Sequence, residues 1–241
     1  MGPKNLSEQL LHDIGLEIVQ GNLSPGEILP KVETLSEMKG VSRTVVREAL
    51  KGLTARRLVE SSTRVGTVVR EKNEWLWWDP DIISWASRSN DSRNFLLQLS
   101  EVRLAIEPAA VRLAARNATD EDILLIKKSY ERLENSLGDE EEWARADFEF
   151  HDSILLASRN VLMISLVKTL HNGLVQSRQT TIKVLKKYQE KNNHGKTEDA
   201  LLMHKAVMEA ICSRDEALAY EKMLHLLLSV VQLIEDLEAS K

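Results

Sequence analysis

Four side chains in the C-terminal two thirds of the sequence have the types and spacing of a metal site. Asp147 and His151 stand four residues apart in a segment whose apolar positions Trp143, Phe150 and Ile154 put both on the inward side of a helix. His204 lies among Leu201, Val207, Met208 and Ile211, and His225 follows Leu218 by one heptad and precedes Leu228 by three residues, so both are read as facing a core. One carboxylate and three imidazoles converging in a helical bundle would coordinate Zn, Ni, Mn or another divalent ion, with positions left for water or an anionic ligand. Spacing brings Asp147 to His151 but does not by itself bring in His204 or His225, and a histidine on an apolar face is more often a hydrogen-bonded core residue. His171 and His194 lack such company and read as structural or exposed.

Arg103 shares a helical stripe with Leu96, Leu99, Ile106, Ala110 and Leu113, where an unpaired guanidinium is costly. It can form a buried salt bridge with Asp147 or Glu101, or clamp a small carboxylate against the metal; the second use is the one adopted here.

A second chemical group lies near the N-terminus. Gly40-Val41-Ser42 reads as a turn whose serine caps a helix from 43 to about 55, with Val45, Val46, Ala49, Leu50 and Leu53 on its buried side. That leaves Ser42, Arg43, Thr44, Arg47 and Lys51 on open surfaces. Arg43 and Arg47 are one turn apart and can reach the same DNA groove, where a guanidinium binds guanine O6 and N7 bidentately. Lys51, Arg56 and Arg57 are better placed for phosphates. Arg64 and Gly66 fall between two short predicted strands, at 58–60 and 67–69, where a basic tip and a glycine permit close approach to a duplex.

The elements that must position these residues are mostly helical. Helices are predicted from Leu6 to about residue 19, over 32–38 and over 43–55, and the strand pair completes a winged helix-turn-helix. Residues 73–90, with Trp75, Trp77 and Trp78, read as an interdomain junction and a first connecting helix, since bulky indoles need a surface to cover them. Further helices are predicted at about 81–89, 92–117, 119–137, 139–158, 160–185, 197–213 and 215–238. The expected organisation is a DNA-binding domain at 1–72, the junction at 73–90, and a helical domain at 91–241.

Charge follows the same division. The 241-residue chain carries −5 overall, but residues 1–72 carry +2 and residues 73–241 carry −7. The single cysteine, Cys212, excludes an intrachain disulfide framework. No apolar run approaches the roughly 18 residues of a membrane span, and the start lacks the apolar core of a signal peptide, so a cytoplasmic protein with no membrane partner is expected.

The run Gly26-Glu27-Ile28-Leu29-Pro30, then Leu35-Ser36-Glu37, then Gly40 to Lys51, closing with Leu53, Leu58-Val59 and Val65-Gly66-Thr67-Val68-Val69, resembles the GntR family of bacterial transcription regulators. The resemblance covers about residues 8–70. The family's second helix usually carries an arginine that helps bind DNA; the matching position here is Glu33, which leaves Arg43 and Arg47 as the principal readers. From about Asp91 to Leu237 the sequence resembles the helical FCD effector domain of the FadR-like group. That resemblance implies that Asp147, His151, His204 and His225 form one metal site and that Arg103 holds an organic acid. Asp79-Pro80-Asp81, Ile82-Ile83 and Trp85 further resemble regulators of sugar-acid catabolism of the galactonate type.

The resulting expectation is a mainly α protein: a winged helix-turn-helix followed by an FCD-type bundle of six to seven helices. It would act as a homodimeric repressor, released from palindromic double-stranded operator DNA by a small organic acid such as a sugar acid. The rivals are an all-helical metal-dependent hydrolase or lyase and a ligand-independent adaptor. Against the first, no further Glu, Asp or His is clearly placed as a general base; against the second stand Arg103 and the four-residue metal set. No enzymatic activity is expected.

Overall fold

The computed structural model describes residues 5–87, 92–170, 174–175, 178–179 and 196–236. Helix α1 (Leu6–Val19) buries Leu10, Ile14 and Ile18, spaced four apart, while Asn5 caps its first turn. Helix α2 (Val32–Lys39) stops at Gly40, whose φ of 62° is the left-handed turn that glycine adopts most readily. Ser42 then accepts the Val45 amide at 3.3 Å and starts α3 (Arg43–Ala55). The buried side of α3 is Val46, Ala49, Leu50 and Leu53, and it packs on α1 and α2.

Strands β1 (Val59–Ser62) and β2 (Gly66–Val69) pair antiparallel, with Val59 opposite Val69 and Ser62 opposite Gly66. A third short extended segment was not expected: Leu29 N–H donates to Thr67 O and Val69 N–H to Glu27 O, at 2.8 and 2.9 Å. The outer edge of β2 is thereby covered by residues 26–29 rather than left open.

The tryptophan-rich stretch behaves unevenly. Trp75 is buried and donates from Nε1 to the Arg70 carbonyl, whereas Trp78 remains 47% exposed. Asp79 then caps α4 (Pro80–Ala86), a helix whose Ile82, Ile83 and Trp85 are buried and which packs along α1. Trp85 Nε1–H donates to His12 Nδ1 at 2.8 Å, and its ring lies so close to α1 that a Cβ on Gly15 would come within 2.5 Å of it. Gly15→Ala is therefore expected to cost roughly 1–3 kcal/mol by displacing an indole fixed at both ends. Thermal unfolding of the variant measures this; an unchanged midpoint would mean that Trp85 gives way freely.

The chain divides into two compact units, 1–92 and 93–241. The described part of the second consists of α5 (Ser92–Asn117), α6 (Asp120–Asn135), α7 (Glu140–Ala157), α8 (Val161–Thr169), α9 (Lys196–Cys212) and α10 (Glu216–Asp236). Thr119 and Asp122 form a reciprocal capping box at the start of α6. Helix α6 packs on α7 and α9, and α9 on α10, around Ile126, Leu133, Phe150, Ile154, Val207, Ile211 and Met223. The predicted helix over 160–185 is described as far as Thr169 and again at 174–175 and 178–179; its remainder, with His171, lies outside the described residues, as does His194 in the predicted break that follows. Glu216–Glu235 is long and apolar enough to cross a membrane, with mean hydropathy 1.4, but in this fold its Met223, Leu226 and Leu227 supply the core.

Candidate functional site

The site is built across five segments of the helical unit. Helix α7 contributes Trp143, Asp147 and His151, α9 contributes His204, α5 contributes Arg103 and Glu107, and α10 closes the wall with Leu226 and Val230. Arg178 completes it. The helical periodicity that places Trp143 and Phe150 in the core carries Asp147 and His151 inward with them, and all these ionisable groups are buried.

One ligand atom from each of Asp147, His151 and His204 lies within 4.8 Å of the others, a spacing that one cation can bridge. The imidazoles are oriented for it. His204 Nδ1 lies 2.7 Å from the Ala200 carbonyl, which can only accept, so Nδ1 carries a proton. In a neutral ring Nε2 then turns a lone pair toward Asp147 Oδ1, 3.0 Å away, and two acceptors at that distance need a proton or a cation between them. His151 repeats the pattern less tightly: Nδ1 stands 2.7 Å from Glu107 Oε2, without hydrogen-bond alignment, and Nε2 is 3.9 Å from Asp147 Oδ2. Phe150 meets both imidazoles edge to face and fixes their planes. The donor set suits a borderline divalent ion such as Zn or Ni.

His225 does not join them. It is exposed, and among the described residues α10 lines the cavity with its neighbour Leu226 and with Val230. The sequence reading placed His225 on a stripe with Leu218 and Leu228, but those leucines are themselves 36% and 48% exposed, so the heptad traced the outer face of α10. Leu226→His should carry an imidazole into the cavity and tighten Ni or Zn binding at least tenfold in competition with a chromophoric chelator. Unchanged affinity would show that this position cannot reach the cluster.

Arg103 is buried as expected, with a partner the sequence reading missed. It pairs neither with Asp147 nor with the exposed Glu101 but with Glu107, Nε to Oε1 at 2.7 Å. The available signal was the i, i+4 spacing of an arginine and a glutamate on one buried stripe. Arg178 was missed as well; its Nε donates to Asp147 Oδ2 in a short ion pair.

Burial works against every charge here, and the neighbours decide the outcome. Burial would raise the Glu107 carboxyl, but Arg103 and His151 hold it far below the usual carboxylate range. Asp147 is likewise held well below it, against its burial, by Arg178 and the two imidazoles. Burial lowers His151 below its ordinary value despite Glu107 and Asp147. All three shifts act on stability in one direction. Each group adds stability that is complete above its unfolded value, about 6.5 for the histidine and about 4 for the carboxylates, and that is lost as pH falls through the folded value. Thermal unfolding of chelator-treated protein should show a midpoint that declines as pH drops below about 6.5; a midpoint that rises would contradict the assignment.

A cavity of about 30 Å³ lies against Arg103, Trp143, Asp147, Arg178 and His204. A second, of about 20 Å³, lies against Glu107, Phe148, Leu155 and Met223. His151 and Arg178 line both. Each has room for about one water molecule.

In the first unit, Ser42, Arg43, Thr44, Arg47, Lys51, Arg57, Arg64 and Gly66 are all exposed, with Arg43 and Arg47 one turn apart on α3. Ser42 doubles as the cap of that helix. Gly66 has φ of 104°, close behind the Arg64 turn. Arg56 is different: Nε and Nη2 bind Asp79 and Asp81 at 3.1 and 2.6 Å, so its guanidinium is committed to the start of α4 rather than offered to a phosphate. Glu33 lies 3.8 Å from Arg43 across an exposed gap, a pair worth little in water.

A winged helix with a basic reading helix, followed in the same chain by a helical unit with a buried polar site, defines a ligand-responsive DNA-binding regulator. Residues 6–69 match the bacterial regulatory proteins of the gntR family, and residues 98–229 match the FCD domain. The chain belongs to the gntR family of transcription regulators, in the branch that carries an FCD domain, and its role is in DNA binding rather than enzymatic. It is 26% identical to the galactonate operon transcriptional repressor of Escherichia coli K12, over 97% of this chain and 98% of that one. It is 32% identical to the regulator LutR of Bacillus subtilis 168, over 69% of this chain and 74% of the other. Among solved structures, the Listeria monocytogenes regulator Lar superposes with a TM-score of 0.65 at 20% identity, covering 97% and 98% of the two chains, and shares the fold.

Proposed function

We propose that this regulator is a repressor, released from its operator when a small organic acid, of the sugar-acid class, enters the buried site of the helical unit. The observation that carries this reading is the pairing of a buried guanidinium, Arg103, with a three-residue cation-binding cluster on one cavity. A carboxylate bound to the ion would reach Arg103 beside its Glu107 pair, and Asp147, His151 and His204 are the residues that would hold the ion. A divalent ion there supplies a fixed positive charge and an open coordination position for an acid oxygen. The name of the galactonate operon repressor supports the sugar-acid class.

The small cavity supports a response to ligand. Among the described residues the cavity is about 30 Å³, enough for a water or an ion, and a six-carbon acid is expected to select or create a more open arrangement. That difference between states is what can be coupled to DNA binding. A tenfold to hundredfold change in operator affinity needs only about 1.4–2.7 kcal/mol of coupling.

On the DNA side, Arg43 and Arg47 read base edges while Lys51, Arg57 and Arg64 contact phosphates and Gly66 lets the wing approach. The reading pairs two such units as a homodimer on a palindrome. Helix α8 supports this: it has no buried residue, and Val161 and Leu162 are 75% and 79% exposed, a strip of apolar surface suited to a second copy.

The test is a mobility-shift assay on DNA upstream of the neighbouring genes, with a panel of sugar acids and with Zn, Ni or Mn supplied or chelated. One acid should release the protein–DNA complex in a metal-dependent way. Tighter DNA binding with the acid would reverse the proposed sign, and a complex indifferent to every acid would remove the effector class.

A further inference from the structure

The same carboxylate that would hold a metal ion is already neutralised from within. Asp147 uses Oδ1 toward His204 and Oδ2 toward Arg178, so both oxygens are engaged while Arg178 is in place. The Arg178 guanidinium therefore occupies the side of Asp147 on which His151 Nε2 also converges, at 3.9 Å from Oδ2. Three features mark Arg178 as an occupant that a bound cation can displace. Its Nη1 is buried without a hydrogen-bond partner among the described residues, although a guanidinium sealed in a protein core normally has its donors satisfied. It shares the small cavity with a second guanidinium, Arg103, which is of like charge. With His151 it lines both cavities, so withdrawing it would open one into the other.

We propose that Arg178 is a built-in counter-cation of the Asp147 cluster, mutually exclusive with a divalent metal ion, so that metal uptake expels the guanidinium and enlarges the effector cavity. The proposal rests on the metal reading of the cluster given above. It follows from charge and space: an ion that reaches His151 Nε2 as well as His204 must approach Asp147 on the Oδ2 side that Arg178 occupies, and two cations a few ångströms apart in a buried site repel strongly. It also gives the cluster an order of events. Metal comes first, Arg178 leaves Asp147, and the space it vacates, together with the Nη1 group that has no partner among the described residues, becomes available to an acid.

The test uses full-length protein stripped with chelator and titrated with Ni²⁺ or Zn²⁺ alone, for wild type, Arg178→Gln and Arg178→Lys. Removing the competing charge should tighten metal binding about tenfold in the glutamine variant, equivalent to about 1.4 kcal/mol, while the lysine variant stays near wild type. If Arg178 instead orients Asp147 for the metal, the glutamine variant binds more weakly, and exclusion is overturned. Equal affinity in wild type and Arg178→Gln also overturns exclusion but leaves the metal site standing. Absence of metal binding in all three proteins removes both. A second measurement does not depend on the variants folding: phenylglyoxal modification of Arg178 in wild type, mapped by mass spectrometry, should rise when metal is added. Modification that stays constant under saturating metal overturns the proposal.

Discussion

Asp147→Ala is expected to abolish metal binding and to destabilise the helical unit by about 3–5 kcal/mol, because it leaves the Arg178 guanidinium buried and unpaired. Against a total stability of about 5–15 kcal/mol for a typical domain, this is enough to leave a substantial part of the protein unfolded at physiological temperature. The loss is not the value of one salt bridge. Truncating one partner strands the other charge in a medium that solvates it poorly, whereas removing both charges can be almost neutral. Asp147→Ala combined with Arg178→Met should therefore recover most of the lost stability while remaining unable to bind metal. Chemical denaturation of the three proteins and titration with Ni²⁺ separate the two effects. A single variant that loses under 1 kcal/mol, or a double variant no more stable than the single, would show that the ion pair is not the source of the cost.

Arg43→Ala and Arg47→Ala together should weaken operator binding by two orders of magnitude or more and leave metal binding and thermal stability at wild-type levels. Both side chains are exposed on α3, and neither contributes to the core made by Val46, Ala49, Leu50 and Leu53. A bidentate arginine–guanine contact is worth about 1–3 kcal/mol of discrimination, so two lost per subunit exceed any exposed ion pair in the region. Lys51→Ala should differ in kind, weakening all DNA sequences alike and reducing the salt dependence. Fluorescence anisotropy with operator and scrambled duplexes distinguishes the cases. Unchanged operator affinity in the double variant would remove α3 as the reading helix.

Local periodicity made most of the architecture legible in advance. The start of α3 at Arg43 and its end at Ala55 follow from a capping serine and an apolar stripe, both local signals that tertiary context does not override here. Asp147, His151 and His204 were legible for the same reason, since each sits beside core residues one helical turn away. His225 was misplaced because Leu218 and Leu228 are leucines on a surface; an apolar residue type does not say which side of a helix is buried, and one residue along an α-helix turns the side chain by about 100°. Arg178 could not be found this way. Its partner Asp147 lies 31 residues earlier, and nothing local to either position encodes that distance. Arg56 illustrates the complement: its residue type suggested a phosphate contact, but Asp79 and Asp81 claim it from 23 and 25 residues away.

The bond between Arg56 and the start of α4 bears on how the DNA-reading part can be isolated. A fragment ending at the wing, near residue 72, would free the Arg56 guanidinium, uncover the buried positions on α1 that Trp85 shields and strip His12 of its donor. A fragment meant to keep these contacts should run at least through Ala86, the end of α4. Operator affinities measured on anything shorter would report a frayed α1 and a spurious extra cation at the end of α3, and would be mistaken for properties of the intact regulator.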